Sequence, residues 1–189
     1  MRLTGEDTKQ RVEQAAIRVF VQKSVAGASV RDIAREARVS LGAMYHHYKS
    51  KEELASALFI QTWAEMGTEL RVRAKLGNTV GDKIREMIRY VFESFEKNWE
   101  LVTYVYISRH EHLRRVTPDV PNPHLVFRMV IIDAMARGDI PRQDPDLAAA
   151  MVMGTIVQVI DTKILGRIKP KLTNCVETVA GACERILRG

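Results

Sequence analysis

Two short stretches, each opening on a serine and together filling Ser29 to Lys51, constrain this chain more than any other feature. Ser29 followed three residues later by Asp32 is a pair in which each side chain can satisfy a free backbone N–H of a first helical turn. A helix is therefore expected from Val30. Val30, Ile33, Ala34 and Ala37 recur at i, i+3, i+4 and i+7, one apolar face of a 3.6-residue period, and Arg31, Asp32, Arg35 and Glu36 point away. Ala37 to Val39 separate this helix from Ser40, again a good N-cap. A second helix is expected from Leu41 to about His47. It is too short to persist alone in water, so neighbours must hold it.

The surface of that second helix carries the functional reading. Leu41, Gly42 and Ala43 are small or apolar and uncharged, and Tyr45, His46, His47, Tyr48, Lys49 and Lys51 follow as a run of phosphate-capable donors. A helix with a narrow, uncharged tip can enter a major groove about 12 Å wide while its flanking donors rest on the two backbones. That is the geometry of a helix-turn-helix reader. The charge agrees. The net charge of +6 is concentrated up to Lys51, where ten Lys and Arg face five Asp and Glu; the remainder of the chain carries nineteen against eighteen. A basic module beside a nearly neutral body points to a polyanionic partner at one end.

Residues 29 to 54, from Ser29 through Leu54, resemble the DNA-binding signature of TetR-type (TetR/AcrR) transcriptional regulators. The shared pattern is a helix, a turn ending in valine-serine, a short helix, then tyrosine, histidine, an aromatic and lysine-x-lysine, and the resemblance extends over about Ala15 to Leu58. It implies that Leu41, Gly42 and Ala43 meet base edges. It implies that Ser29, Val30, Tyr45, His46, Lys49 and Lys51 meet phosphates, with Ser40 and Tyr48 belonging to the same surface. Two positions depart from the pattern: Arg38 stands in the turn where the family commonly has glycine, and Ser24 replaces a frequent glycine before the first reader helix. A left-handed backbone at Arg38 would cost roughly 1 kcal/mol or more. Either the turn differs here, or Arg38 bears that strain and adds a cation near DNA.

The rest of the sequence predicts an all-α chain of about nine helices. An amphipathic helix from about Thr8 to Gln22, with Val12, Ala15, Ala16, Val19 and Phe20 inward, would brace the reader pair. A helix from Ser50 to about Lys75 follows, then a break at Leu76 to Val80. Next come helices from Thr79 to Asn98 and from Leu101 to Leu113, and a proline-rich loop, Thr117 to Pro123. Asn122 with Pro123, and Asp144 with Pro145, open two further helices, and Thr173 to Leu187 forms the last. The division expected is a DNA-binding domain over residues 1–51 and a helical ligand-binding and dimerisation body over residues 52–189.

Leu147 to Ile160 is apolar nearly all round, so it must be covered on every side, by its own chain and by a twin or by a monomer core. The resemblance favours the twin. Ala150, Gly154, Val157, Val176, Val179 and Cys183 are the candidate dimer residues, and a near-palindromic operator in double-stranded DNA follows from two-fold symmetry. Large soft side chains in the body, Trp63, Met66, Met87, Phe92, Phe95, Trp99, Met129 and Met153, could line an effector pocket with Tyr104, His110 and Gln158 as polar groups, or could be ordinary core. The resemblance implies a pocket for a small-molecule effector and a ligand-responsive regulator, a repressor released when a small apolar or aromatic molecule binds.

Other classes fit less well. His110-Glu111-His112 reads as a solvated polar patch, because helical residues two apart diverge by about 200°. Paired glutamate-x-x-histidine motifs, phosphate loops and H-E-x-x-H are missing from the sequence, so neither an enzyme nor a metal or other cofactor is expected. A helical interaction adaptor that kept the fold without DNA contact is the competing reading. Cys175 and Cys183 lie about 12 Å apart on one helix and read as free thiols in reducing surroundings. With no h-region at the N-terminus and no apolar run approaching a bilayer span, a cytoplasmic protein without membrane contact is expected.

Overall fold

The computed structural model describes residues 4–117 and 119–189. Among the described residues the chain forms nine α-helices and no strand: α1 Gly5–Gly27, α2 Val30–Ala37, α3 Leu41–His47, α4 Lys51–Arg73, α5 Val80–Lys97, α6 Trp99–His112, α7 Pro123–Arg137, α8 Pro145–Ile164 and α9 Val176–Arg188. Short 3-10 turns precede α9 at Leu172–Cys175 and follow α6 at Leu113–Arg115. The all-α reading and its helix order hold.

The helix starts fall where local chemistry sets them. Thr79 and Asp82 form a reciprocal cap, as do Thr4 and Asp7, and Asp144 accepts from the N–H groups of Asp146 and Leu147. Asn122 accepts from His124 N–H with Pro123 at the first helical position. The boundaries that differ most from expectation are those of α1. α1 starts at Gly5 and runs to Gly27 across a kink at Ser24, whose φ of 61° and ψ of 167° are non-helical. This is the position where glycine would be unstrained.

Contacts group the chain into two units. The first takes the described residues up to Thr62 together with Glu100–Val116. In it α1 packs on α2 and α3, with Val12, Ala15, Ala16 and Phe20 of α1, Ile33 of α2 and Met44 of α3 at most 1% exposed. α6 belongs to this unit, although it lies beyond residue 51. Tyr104 stacks on Phe20 with ring centroids 5.7 Å apart, and its hydroxyl donates to the Ala55 carbonyl at 2.6 Å. The ring of His112 lies 5.2 Å from that of Phe59.

The second unit is Trp63–Trp99 with Thr117–Gly189. α5 packs against α9 and α7, and α8 lies against α7 and α9. Ile84, Met87, Ile88, Phe92, Ile131, Val152, Cys183 and Leu187 are its fully buried centre. Arg85 and Arg89 both reach Glu177, at 2.9 and 3.2 Å, fastening α9 to α5 at the rim. Arg128 to Asp146, at 2.8 Å, does the same for α7 and α8. The chain first passes from one unit to the other inside the continuous helix α4.

Candidate nucleic-acid interface

The reader is assembled by caps that use local atoms only. The Ser29 side chain accepts from Asp32 N–H at 3.1 Å, and Asp32 Oδ2 accepts from the Ser29 N–H at 3.1 Å and its hydroxyl at 2.8 Å. The Ser29 hydrogen bonds, then Lys23 Nζ at 3.0 Å, hold the Asp32 carboxyl down at about 2. Arg38 ends α2 with φ 56° and ψ 47°, left-handed, and the next N–H, of Val39, reaches back to the Ala34 carbonyl at 3.0 Å. The turn therefore takes the left-handed backbone that costs a non-glycine residue strain. Ser40 Oγ then accepts from Ala43 N–H at 3.1 Å and starts α3.

Met44 is the one fully buried residue of α3 and is its anchor. Around it the helix is open. Leu41 is 38% and Tyr45 52% exposed, Gly42 and His46 are exposed, and Ala43 is half-buried. The uncharged tip Leu41–Ala43 therefore faces outward, with Arg38 and Lys49 exposed at its two ends. Val30 is half-buried and has no polar side-chain atom, but its backbone N–H, at the first position of α2, is of the kind that helices leave for an anion.

Three of the residues expected at phosphates are committed elsewhere. Lys51 Nζ donates to the carbonyls of Ala26 at 3.0 Å and Ala28 at 2.7 Å, so it satisfies the end of α1 instead of projecting as a free cation. The Tyr48 hydroxyl donates to Glu13 at 2.5 Å in a ring that is 8% exposed; burial and the Glu13 carboxylate both push its pKa up. The Ser29 hydroxyl serves Asp32, as above. Arg11 of α1, a cation that the motif did not single out, lines a shallow groove of about 290 Å³ together with Gln14, Arg18, Glu36 and Arg38. Its signal in the sequence was only that it lies on the outer face of α1.

Because a glycine at residue 38 would adopt the same backbone without the Cβ penalty of about 1–2 kcal/mol, partly offset by about 0.4–1 kcal/mol of extra unfolded-chain freedom, Arg38→Gly is expected to raise unfolding stability by about 1 kcal/mol. If Arg38 meets phosphate, the same change weakens binding to all duplexes and flattens the salt dependence by about one ion. Denaturant melts and binding isotherms at several salt concentrations report both.

The other candidate residues fall in different settings. Trp63, Met66, Met87, Phe92 and Phe95 are buried in the second unit, Trp99 and Met129 are each 52% exposed, Met153 is half-buried, and Gln158 is exposed. Tyr104 and His110 belong to the first unit, the former with its hydroxyl already used and the latter exposed. His110-Glu111-His112 is not one solvated patch. His112 is 1% exposed with neither ring nitrogen hydrogen-bonded, and burial lowers its pKa.

Along α8, Ala148, Ala149, Val152, Ile156 and Ile160 are buried, whereas Leu147, Ala150, Met151 and Gly154 lie open and Val157 is half-buried. One flank is thus uncovered in a single chain. Val176, Val179 and Cys183 of α9 are 1%, 6% and 0% exposed, so they are core of their own chain and not candidates for contact with a second copy. Burial pushes the Cys183 thiol up to about 11. By length and composition α8 could also cross a membrane, against the sequence expectation, but it packs as a bundle helix on α7 and α9.

Comparison with known proteins gives the same picture at three scales. Residues 14–58 match the model for bacterial regulatory proteins of the tetR family. The transcriptional regulator AcrR of Shigella flexneri is 33% identical over 48% of this chain and 42% of its own length, so the match spans less than half of that relative. The regulator BetI of Brucella abortus is 26% identical over 76% of this chain and 75% of its own. Over the whole fold, the fatty acid degradation regulator FadR from Bacillus halodurans superimposes with a TM-score of 0.82 at 19% identity, covering 96% of each chain. FadR from Bacillus subtilis, solved in complex with stearoyl-CoA, gives 0.77 at 20% identity over 96% of this chain and 98% of that one.

Proposed function

We propose, from the premise that this chain is a tetR-family transcriptional regulator, that it works as a homodimeric repressor reading a near-palindromic operator and releasing it when a small molecule binds the second unit. The observation that carries this is the outward, uncharged tip Leu41–Ala43, fixed from below by Met44 and from both ends by caps. An α3 so held is already in the form that a groove receives, and little ordering entropy opposes binding.

In this reading Leu41, Gly42 and Ala43 meet base edges, and Val30 N–H, Arg38, Ser40, Tyr45, His46 and Lys49 meet phosphates, with Arg11 added. Residues 4–51 supply the reader. The twin subunit covers the open flank of α8 around Ala150 and Gly154. Release requires the effector to bind more tightly to the state in which the two readers are wrongly spaced for DNA. In this reading α4, whose residues run from the first unit into the second, is the element through which that difference would reach the reader.

Selection from a random duplex library at about 100 mM salt, followed by sequencing, tests the proposal. Enrichment of a near-palindrome whose half-site centres are about one helical turn apart, some 34–36 Å, is expected, together with a sedimentation mass of two chains. A library that emerges unenriched, from protein shown to be folded, removes the regulator reading. A single-chain mass at micromolar concentration removes the dimer.

A further inference from the structure

We infer that the cleft bounded by the end of α4, the first turn of α5 and the outer side of α7 is a binding site for an amphiphilic anion, a molecule with a carboxylate or phosphate head on an apolar body. The site lies wholly within the second unit and has a volume of about 370 Å³, inside the range of small-molecule pockets. Its consequence for DNA rests on the regulator reading above, but its existence does not.

The lining divides into two parts. Arg71, Lys75 and Lys83 supply three cationic groups, and Asp133 is the single carboxylate among the lining residues. Among the described residues none of these four takes part in an ion pair, whereas nearby Arg73 and Arg85 are paired with Glu93 and with Asp82 and Glu177. An excess of two positive charges is therefore left for something outside the chain. The remaining lining is apolar, and two large members are conspicuously wet: Leu125 is 44% and Met129 52% exposed.

Lys83 is the residue hardest to explain otherwise. Cations at Arg71 and Lys75 stand at the C-terminal end of α4, where they complement the helix dipole and could serve nothing more. Lys83 stands in the first turn of α5, where the dipole is positive and a cation is disfavoured by a few tenths of a kcal/mol. The backbone of that turn is also held there. A Cβ on Gly77 would come within 2.4 Å of the Lys83 backbone nitrogen, so the loop from α4 lies directly against that turn. Charge that is unpaired, gathered from two segments, standing in part against its own helix dipole and set beside exposed aliphatic surface matches a ligand having both features. A neutral apolar molecule would leave the cations unanswered, and an inorganic anion would leave Leu125 and Met129 in water.

Calorimetric titration of the full chain with decanoate, below its micellar concentration, tests this, with decyltrimethylammonium as the control of opposite charge. Decanoate is expected to bind and the cation not to. The double variant Arg71→Glu/Lys75→Glu, both exposed positions, should weaken decanoate at least tenfold, and Asp133→Asn should tighten it two- to threefold. Thermal melts confirm that each variant is folded; Lys75→Gln, expected to lose about threefold, substitutes if the double reversal is not. Failure of decanoate to bind, equal binding of both charges, or equal affinity in the wild type and the charge variants overturns the inference. DNA anisotropy on the same samples separates the two readings. Decanoate bound with DNA affinity unchanged supports the cleft and removes its role as effector site, whereas DNA bound without any decanoate binding removes the cleft alone.

Discussion

Gly42→Glu is expected to lower affinity for duplex DNA by at least 100-fold while leaving the protein as stable as before. The stability half follows from space. Gly42 is exposed, and a Cβ there would meet nothing closer than Ser40 Oγ at 3.9 Å. Glycine inside a helix is worse than other residues by about 1 kcal/mol, and a carboxylate in the first turn of α3 would be favoured by the helix dipole. The fold therefore has no reason to weaken. The binding half follows from the same location. The residue lies on the tip that must enter a groove about 12 Å wide between two lines of phosphate, so the new side chain adds both bulk and like charge where the groove is narrowest.

A 100-fold loss corresponds to about 2.7 kcal/mol, comparable to losing one good bidentate base contact. Salt distinguishes the causes: adding a repelled charge should steepen the loss at low ionic strength, because less screening exposes the repulsion. Gly42→Ala is the milder partner, keeping most affinity and shifting which duplexes are preferred. Fluorescence anisotropy at two salt concentrations, with a thermal melt of each variant, decides it. Unchanged DNA affinity in a folded Gly42→Glu protein would mean that α3 does not enter the groove.

What the sequence disclosed follows the range of the interactions involved. Ser29 with Asp32, Ser40 with Ala43 and Thr79 with Asp82 are contacts across three residues, and each marked its helix start in the text of the chain. At Arg38 the sequence raised the question without answering it: a turn that commonly takes glycine points to a left-handed backbone, but only the structure shows that Arg38 adopts one. Interactions across long separations were not legible. Lys51 reads as a phosphate cation until its ammonium is seen on carbonyls 23 and 25 residues earlier. Tyr104 reads as a body residue until its hydroxyl is found on Ala55 and its ring on Phe20, which brings α6 into the unit that holds the reader. In α9 the apolar stripe correctly marked an inward face, but hydrophobicity alone did not say whether inward meant its own chain or a twin. Burial of Val176, Val179 and Cys183 within one chain answers that.

The largest effect on stability is expected from Gly67→Ala, a substitution that helix propensity alone would recommend. Replacing glycine inside α4 gains about 1 kcal/mol of intrinsic preference. Against that, a Cβ at residue 67 would lie 2.6 Å from the Pro121 carbonyl carbon, 2.7 Å from its oxygen and 2.8 Å from Asn122 N. All three are backbone atoms, which cannot swing aside as a side-chain tip can. Overpacking of this kind costs about 1–3 kcal/mol. The segment that must retreat also carries Asn122, whose side chain accepts from His124 N–H at 2.9 Å to start α7, and loss of such a cap costs about 1 kcal/mol more. The clash and the cap together exceed the propensity gain, for a net loss of about 2 kcal/mol and a fall in Tm of roughly 4–8 °C. Calorimetric melting measures it, and a Tm equal to or above that of the wild type would show that the Pro121–Asn122 segment does not lie against α4. The position also bears on function: Gly67 and Lys51 belong to one continuous helix, so the close approach that only glycine permits fixes the far end of the same helix that leaves the reader.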